Sequence, residues 1–132
     1  MKIVAPVSRL AEIEPLAQAG ANEFYCGLVP PEWLGRFHAL NVNRRPSGNL
    51  ASYADLASAI ERTHAQGATL SLVLNAQHYS GAQAEGAMEV AQRFADLGGD
   101  SLVVSDLGML QRLAERLPAL RLHVSSVATC RN

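Results

Sequence analysis

The segment "NRRPSGN" (residues 43–49) sets Arg44 and Arg45 directly before Pro46 and Gly48. Two permanent cations on a constrained turn suit forked binding of a carboxylate or phosphate, because a guanidinium presents parallel N–H donors that match either group. The competing reading is a solvated basic turn. Asn49 closes the segment and joins Arg44 and Arg45 as a substrate-binding candidate. Further candidates lie in or just after short apolar runs: Tyr25, Asn75, Asp106, His123 and Ser125. His123 either sits in the core as a hydrogen-bonded histidine or moves protons, since imidazole titrates near neutrality. Asn75 either caps a loop or serves the site. Ser125 either binds a substrate oxygen or begins another helix. Asp106 is a cap for the helix that follows, with substrate binding as its second use.

Other chemistries find little support. No Ser-His-Asp arrangement follows from the spacing, and neither HExxH nor a nucleophile elbow nor a convincing carboxylate pair is present. Cys26 and Cys130 lie far apart without a CxxC or a His-rich companion, so neither a disulfide scaffold nor a self-contained metal site is indicated. Cys26 reads as a buried structural thiol, and Cys130 as a loop thiol or an incidental one. No metal ligands are assigned.

These residues need elements to hold them. Apolar runs rich in β-formers occur at 2–6, 23–27, 68–75, 101–106 and 121–126. Amphipathic stretches with helical spacing lie between them. The first helix starts near Glu14, with Pro15 in its first turn and Gly20 as its stop, and residues 8–13 form a separate turn. The second has Ser52 as N-cap, Asp55 at the capping-box position and Gly67 as its stop. The third covers "AQAEGAMEVAQRFADLG" and carries Gly86 at some cost; the fourth covers "LGMLQRLAERL" and ends before Pro118. Strands alternating with crossover helices make a parallel sheet, so the class is α/β, with about five parallel strands and four helices. A doubly wound sheet and a (β/α) barrel both fit this order. Neither GxGxxG nor GxxxxGK[ST] follows a strand, which removes support from the nucleotide-binding versions.

The two faces of the strands differ. Leu70, Leu72 and Leu74 share one face while Ser71, Val73 and Asn75 share the other; Phe24 and Cys26 oppose Glu23 and Tyr25; Leu122 and Val124 oppose His123 and Ser125. Helices should cover the apolar face. Tyr25, Asn75, His123 and Ser125 then point into a common interior that is more polar than a packed barrel core needs.

Residues 28–50 form a long connection of the kind that makes lids and binding loops at the C-terminal ends of barrel strands. Within it "PPEWLGRF" reads as a short helix with Trp33 and Phe37 four apart on one face, packing on the core rather than stacking on a ligand.

Composition bounds the rest. The 132 residues are 48% hydrophobic, enough to bury a core in a single domain. A net charge of -1 with eleven scattered basic residues gives no electrostatic footprint for nucleic acid. "MKIVAPVSRL" is too short an apolar stretch for a signal peptide or a spanning helix, so a cytoplasmic setting without membrane partners is expected.

Taken in order, "APVSRLAEIEPLAQAGANEFYCG", "NRRPSGN", "LVLNA", "VVSDLGML" and "LHVSS" resemble the N-terminal half of peptidase family U32, the collagenase-like proteases. The resemblance spans essentially the whole chain. It implies a TIM-type (β/α)8 barrel with active-site loops at the C-terminal strand ends, and it places Asn75 at a family motif position. The family carries a peptidase name, whereas its better-understood relatives support oxygen-independent hydroxylation of RNA bases or of the ubiquinone ring, some with iron–sulfur clusters and some using prephenate. A closed barrel needs about eight strands and roughly 250 residues, so residues 1–132 are expected to be half of one. The open edge at "RLHVSS" should pair with another copy or with the missing half. A cluster, where the full-length parent has one, is expected to be held outside this chain. The expected function is a modifying enzyme acting on an anionic small molecule, RNA or a quinone, with His123 and Asn75 catalytic and Tyr25, Arg44, Arg45, Asn49, Asp106 and Ser125 binding substrate. A true peptidase and a non-catalytic half-barrel are the alternatives.

Overall fold

A computed structural model describes residues 1–39, 42–45 and 47–128. In chain order the elements are β1 (Val4–Val7), α1 (Ile13–Gln18), β2 (Glu23–Leu28), α2 (Pro31–Phe37), β3 (Asn49–Leu50), α3 (Tyr53–Ala65), β4 (Thr69–Leu74), α4 (Gly81–Asp96), β5 (Ser101–Val104), α5 (Leu107–Arg116) and β6 (Arg121–Val124). The main sheet is parallel and runs β1-β2-β4-β5-β6, while β3 pairs only with the end of β2. A doubly wound sheet reverses its strand order at a switch point, and this one does not. Its consecutive order is that of half a (β/α) barrel.

Local chemistry explains the helix boundaries. The Ser52 hydroxyl accepts the Asp55 N–H at 3.1 Å and donates to the Asp55 carboxylate at 3.0 Å, which starts α3. Ser80 and Gln83 form a reciprocal capping box for α4, and Asp106 accepts the Met109 N–H at 2.9 Å to start α5. Gly20 and Gly67, beyond α1 and α3, take φ values of +103° and +69°, the left-handed conformation that ends a helix at little cost. The expected turn before α1 is a 3-10 turn at Leu10–Glu12. The Glu12 carboxylate accepts the N–H groups of Ser8 and Arg9, and the first of these bonds is the main cause holding its pKa below the usual range.

The helices lie against one face of the sheet. Phe24, Cys26, Leu70, Leu72, Leu74, Leu102 and Val104 are buried in one cluster with Leu56 and Ile60 of α3, Val90 and Phe94 of α4, and Met109 and Leu113 of α5. The alternation expected in 23–27 and 68–75 is therefore present. Among the described residues no helix is long and apolar enough to cross a membrane.

The described residues form five α-helices where the periodicity outside the long loop gives four; the fifth is α2, the short helix read within that loop. Trp33, only 2% exposed, packs edge-on against Phe37 and Tyr79 with ring centres 4.6 and 6.2 Å away. Gly86 of α4 makes the room, since a Cβ there would lie 3.2 Å from both the Trp33 and Phe37 rings. Ion pairs Arg36–Glu89 and Arg93–Glu32, each at 3.0 Å, tie α2 to α4. Further along, Tyr79 donates its hydroxyl to the Val42 carbonyl. The first half of the 28–50 segment thus docks on the helical layer. Its second half returns to the sheet as β3, with Gly27 opposite Asn49 and Leu28 opposite Leu50.

Candidate functional site

The face of the sheet turned away from the helices carries a cleft of about 570 Å³. Its floor is apolar where Val4, Pro6, Val73 and Val103 contribute, and its polar groups are Glu23, Tyr25, Arg45, Ser71, Asn75 and His123. Strand register sets their spacing: Tyr25 stands between Pro6 and Ser71, and Val103 between Val73 and His123. Side-chain alternation alone sends all of these to one face.

Arg45 is the cation of the cleft. Its guanidinium lies over the Tyr25 ring at 5.2 Å, and its Nη2 donates to the Ser8 hydroxyl at 3.3 Å. Its Nη1 is buried and has no hydrogen-bond partner. No carboxylate pairs with this guanidinium among the described residues. A guanidinium whose charge no carboxylate neutralises suits an incoming anion. Asn75 lies beside it on the wall of the same cleft. Its side-chain oxygen accepts the Arg44 N–H at 2.9 Å, which leaves Nδ2 as a donor without a partner among the described residues. His123 is exposed within the cleft.

The other candidates lie elsewhere. Arg44 is exposed and reaches the site through its backbone N–H alone. Asn49 stands behind Arg45, donating to its carbonyl at 2.7 Å and accepting from Asn43 at 2.8 Å. Asp106 caps α5 and also accepts the Tyr79 N–H at 3.3 Å, with His78 Nδ1 at 3.8 Å; it lines a separate cleft with Arg112. Ser125 is buried, donates its N–H to the Val104 carbonyl at 2.8 Å and accepts the Val127 N–H at 3.5 Å. Cys130 lies outside the described residues. Sequence reasoning passed over Ser8, Glu23 and Asn43 as site residues. Ser8 and Asn43 stand inside the quoted segments, but only their contacts with Arg45 single them out.

Cys26 is fully buried on the helix side, and burial pushes its thiol up to about 12 while the Arg45 charge pulls partly back. A thiol so protonated and so placed does not fit a cluster ligand or a nucleophile. Among the described residues no three His, Cys, Asp or Glu side chains come together as a metal site.

The sequence profile of Peptidase family U32 matches residues 8–132. The chain belongs to peptidase family U32. The solved structure of the U32 peptidase Mk0906 is similar to it, with a TM-score of 0.64 at 14% identity over 97% of this chain and 50% of that one. At that identity the likeness is one of fold. This U32 chain spans about half the length of that relative, and its parallel sheet, one face of which carries the cleft described above, is consistent with half of a TIM-type barrel.

Proposed function

We propose that this U32 chain supplies the anion-binding wall of a modifying enzyme's active site. Arg45 carries this reading, because its guanidinium lies over Tyr25, lines an open cleft and has no carboxylate partner among the described residues. In this role Arg45 takes the anionic group of the substrate, Asn75 donates a second hydrogen bond from Nδ2, and His123 accepts or returns a proton at the far side. Val73 and Val103 offer an apolar surface to the body of a small molecule. Oxygen-independent hydroxylation is the reaction class suggested by the family resemblance. A cluster that such chemistry uses would need ligands beyond the described residues, since Cys26 does not fit one. Peptide hydrolysis has less behind it: the hydroxyls of Ser71 and Ser101 bond each other at 2.6 Å, and among the described residues neither is paired with a base. The edge strands β1 and β6, where Val4 and Val124 are 55% and 47% exposed, would pair with the rest of a barrel or with a second copy.

Calorimetric titration of inorganic phosphate and of malonate into the protein and into Arg45→Ala tests this. Saturable binding of either anion that is lost in Arg45→Ala is the expected result. Equal affinity in both proteins, or hydrolysis of a peptide that survives the substitution, would overturn it.

A further inference from the structure

We infer that Asn43 and Asn49 are positioning residues that aim Arg45 into the cleft. This rests on the anion-binding reading of Arg45 and adds the machinery behind it. Arg45 is held at both of its main-chain groups. Its N–H donates to Asn43 Oδ1 at 2.8 Å, and its carbonyl accepts from Asn49 Nδ2 at 2.7 Å. The two amides also bond each other, Asn43 Nδ2 to Asn49 Oδ1 at 2.8 Å, which closes a ring through the Arg45 peptide. Asn43 is only 5% exposed and Asn49 sits on β3, so the ring is anchored in the sheet. Gly27 is a condition of this arrangement, because a Cβ there would lie 2.1 Å from Asn49 Oδ1 and 2.9 Å from Asn43 Nδ2.

The choice of amides has an electrostatic consequence. Among the described residues, every group that holds Arg45 is neutral: two asparagines, the Ser8 hydroxyl and the Tyr25 ring. A carboxylate could make some of the same bonds, but it would spend the positive charge inside the protein. The ring fixes direction while leaving the charge for a ligand, and a side chain fixed beforehand loses less entropy on binding.

The test compares phosphate affinity by calorimetry in the wild type, Arg45→Ala, Asn49→Ala, the double variant, and Gly27→Ala. Gly27→Ala removes no hydrogen-bonding group and displaces the Asn49 and Asn43 amides. The order of the Arg45 Nε–H is read by nuclear magnetic resonance in each protein that retains Arg45. Asn49→Ala and Gly27→Ala should each weaken phosphate binding about tenfold, equivalent to about 1.4 kcal/mol. Both should also leave the Arg45 Nε–H motionally averaged, and the double variant should bind no worse than Arg45→Ala alone. If Asn49→Ala fails to fold, Gly27→Ala carries the comparison. Loss of binding in Arg45→Ala with wild-type affinity and an ordered Nε–H in Asn49→Ala and Gly27→Ala would overturn the positioning role. Unchanged binding in Arg45→Ala would instead remove the anion site itself.

Discussion

The guanidinium of Arg45 lies 5.2 Å above the centre of the Tyr25 ring, on the open face of the sheet. One residue comes from a strand and the other from a loop that has crossed the strand ends to reach it. The ring supports the cation from one side without neutralising it, and the cleft takes the other side.

That geometry separates two substitutions at Tyr25. Among the described residues its hydroxyl makes no hydrogen bond, so Tyr25→Phe should leave phosphate affinity unchanged. Tyr25→Leu keeps apolar bulk but removes the ring face, worth about 0.5–1 kcal/mol to a nearby cation, so affinity should fall roughly two- to fivefold. Calorimetric titration of the two variants decides it. Equal affinities would mean that Tyr25 is only floor.

Asp106 offers the opposite combination. It caps α5 through the Met109 N–H and holds the Tyr79 N–H, in a cleft separate from that of Arg45. Asp106→Ala should cost about 0.5–2 kcal/mol of stability, with phosphate affinity unchanged. Urea denaturation measures the first and calorimetry the second; a loss of affinity without a loss of stability would put Asp106 in the site.

The sequence carries the strands and their faces because those depend on local alternation. Leu70, Leu72 and Leu74 against Ser71, Val73 and Asn75 is a pattern of period two, and burial against α3 and α4 keeps it in register. Capping was legible for the same reason, since Ser52 and Asp106 act on residues three positions away. What could not be read is contact at long range. β3 is two residues long, too short for any period, and it forms because Asn49 bonds Asn43 and the Arg45 carbonyl beside Gly27. Gly86 looked like a cost to α4 until α2 was seen to lie on it. Asn49 is expected from the sequence to bind substrate, and no local pattern shows that its amide is turned to the Arg45 backbone.

Leu72 tests the faces directly. It is fully buried between its neighbours in β2 and β5, opposite Cys26 and Leu102. Leu72→Ala should cost about 2–5 kcal/mol, whereas Val103→Ala, half-buried on the cleft side, should cost less, about 1 kcal/mol. Equal losses in urea denaturation would contradict the division into a packed face and an open one.

Cys26 makes stability depend on alkaline pH. Burial raises its pKa from 9.0 to about 12, with the Arg45 charge lowering it in part. The folded protein therefore keeps this proton where an unfolded chain gives it up. The stabilisation is fully present below pH 9, declines as the pH rises towards 12 and is gone above that. Its full size is on the order of a few kcal/mol. Tyr53 and Tyr79 are also shifted upward by burial, so the useful quantity is the difference between the protein and its Cys26→Ala variant. The variant loses packing at every pH, but its urea midpoint should fall less steeply between pH 8.5 and 10.5. Parallel curves over that range would show that the thiol ionises equally in the folded and unfolded chains, and Cys26 would then be open to solvent rather than sealed between the sheet and its helices.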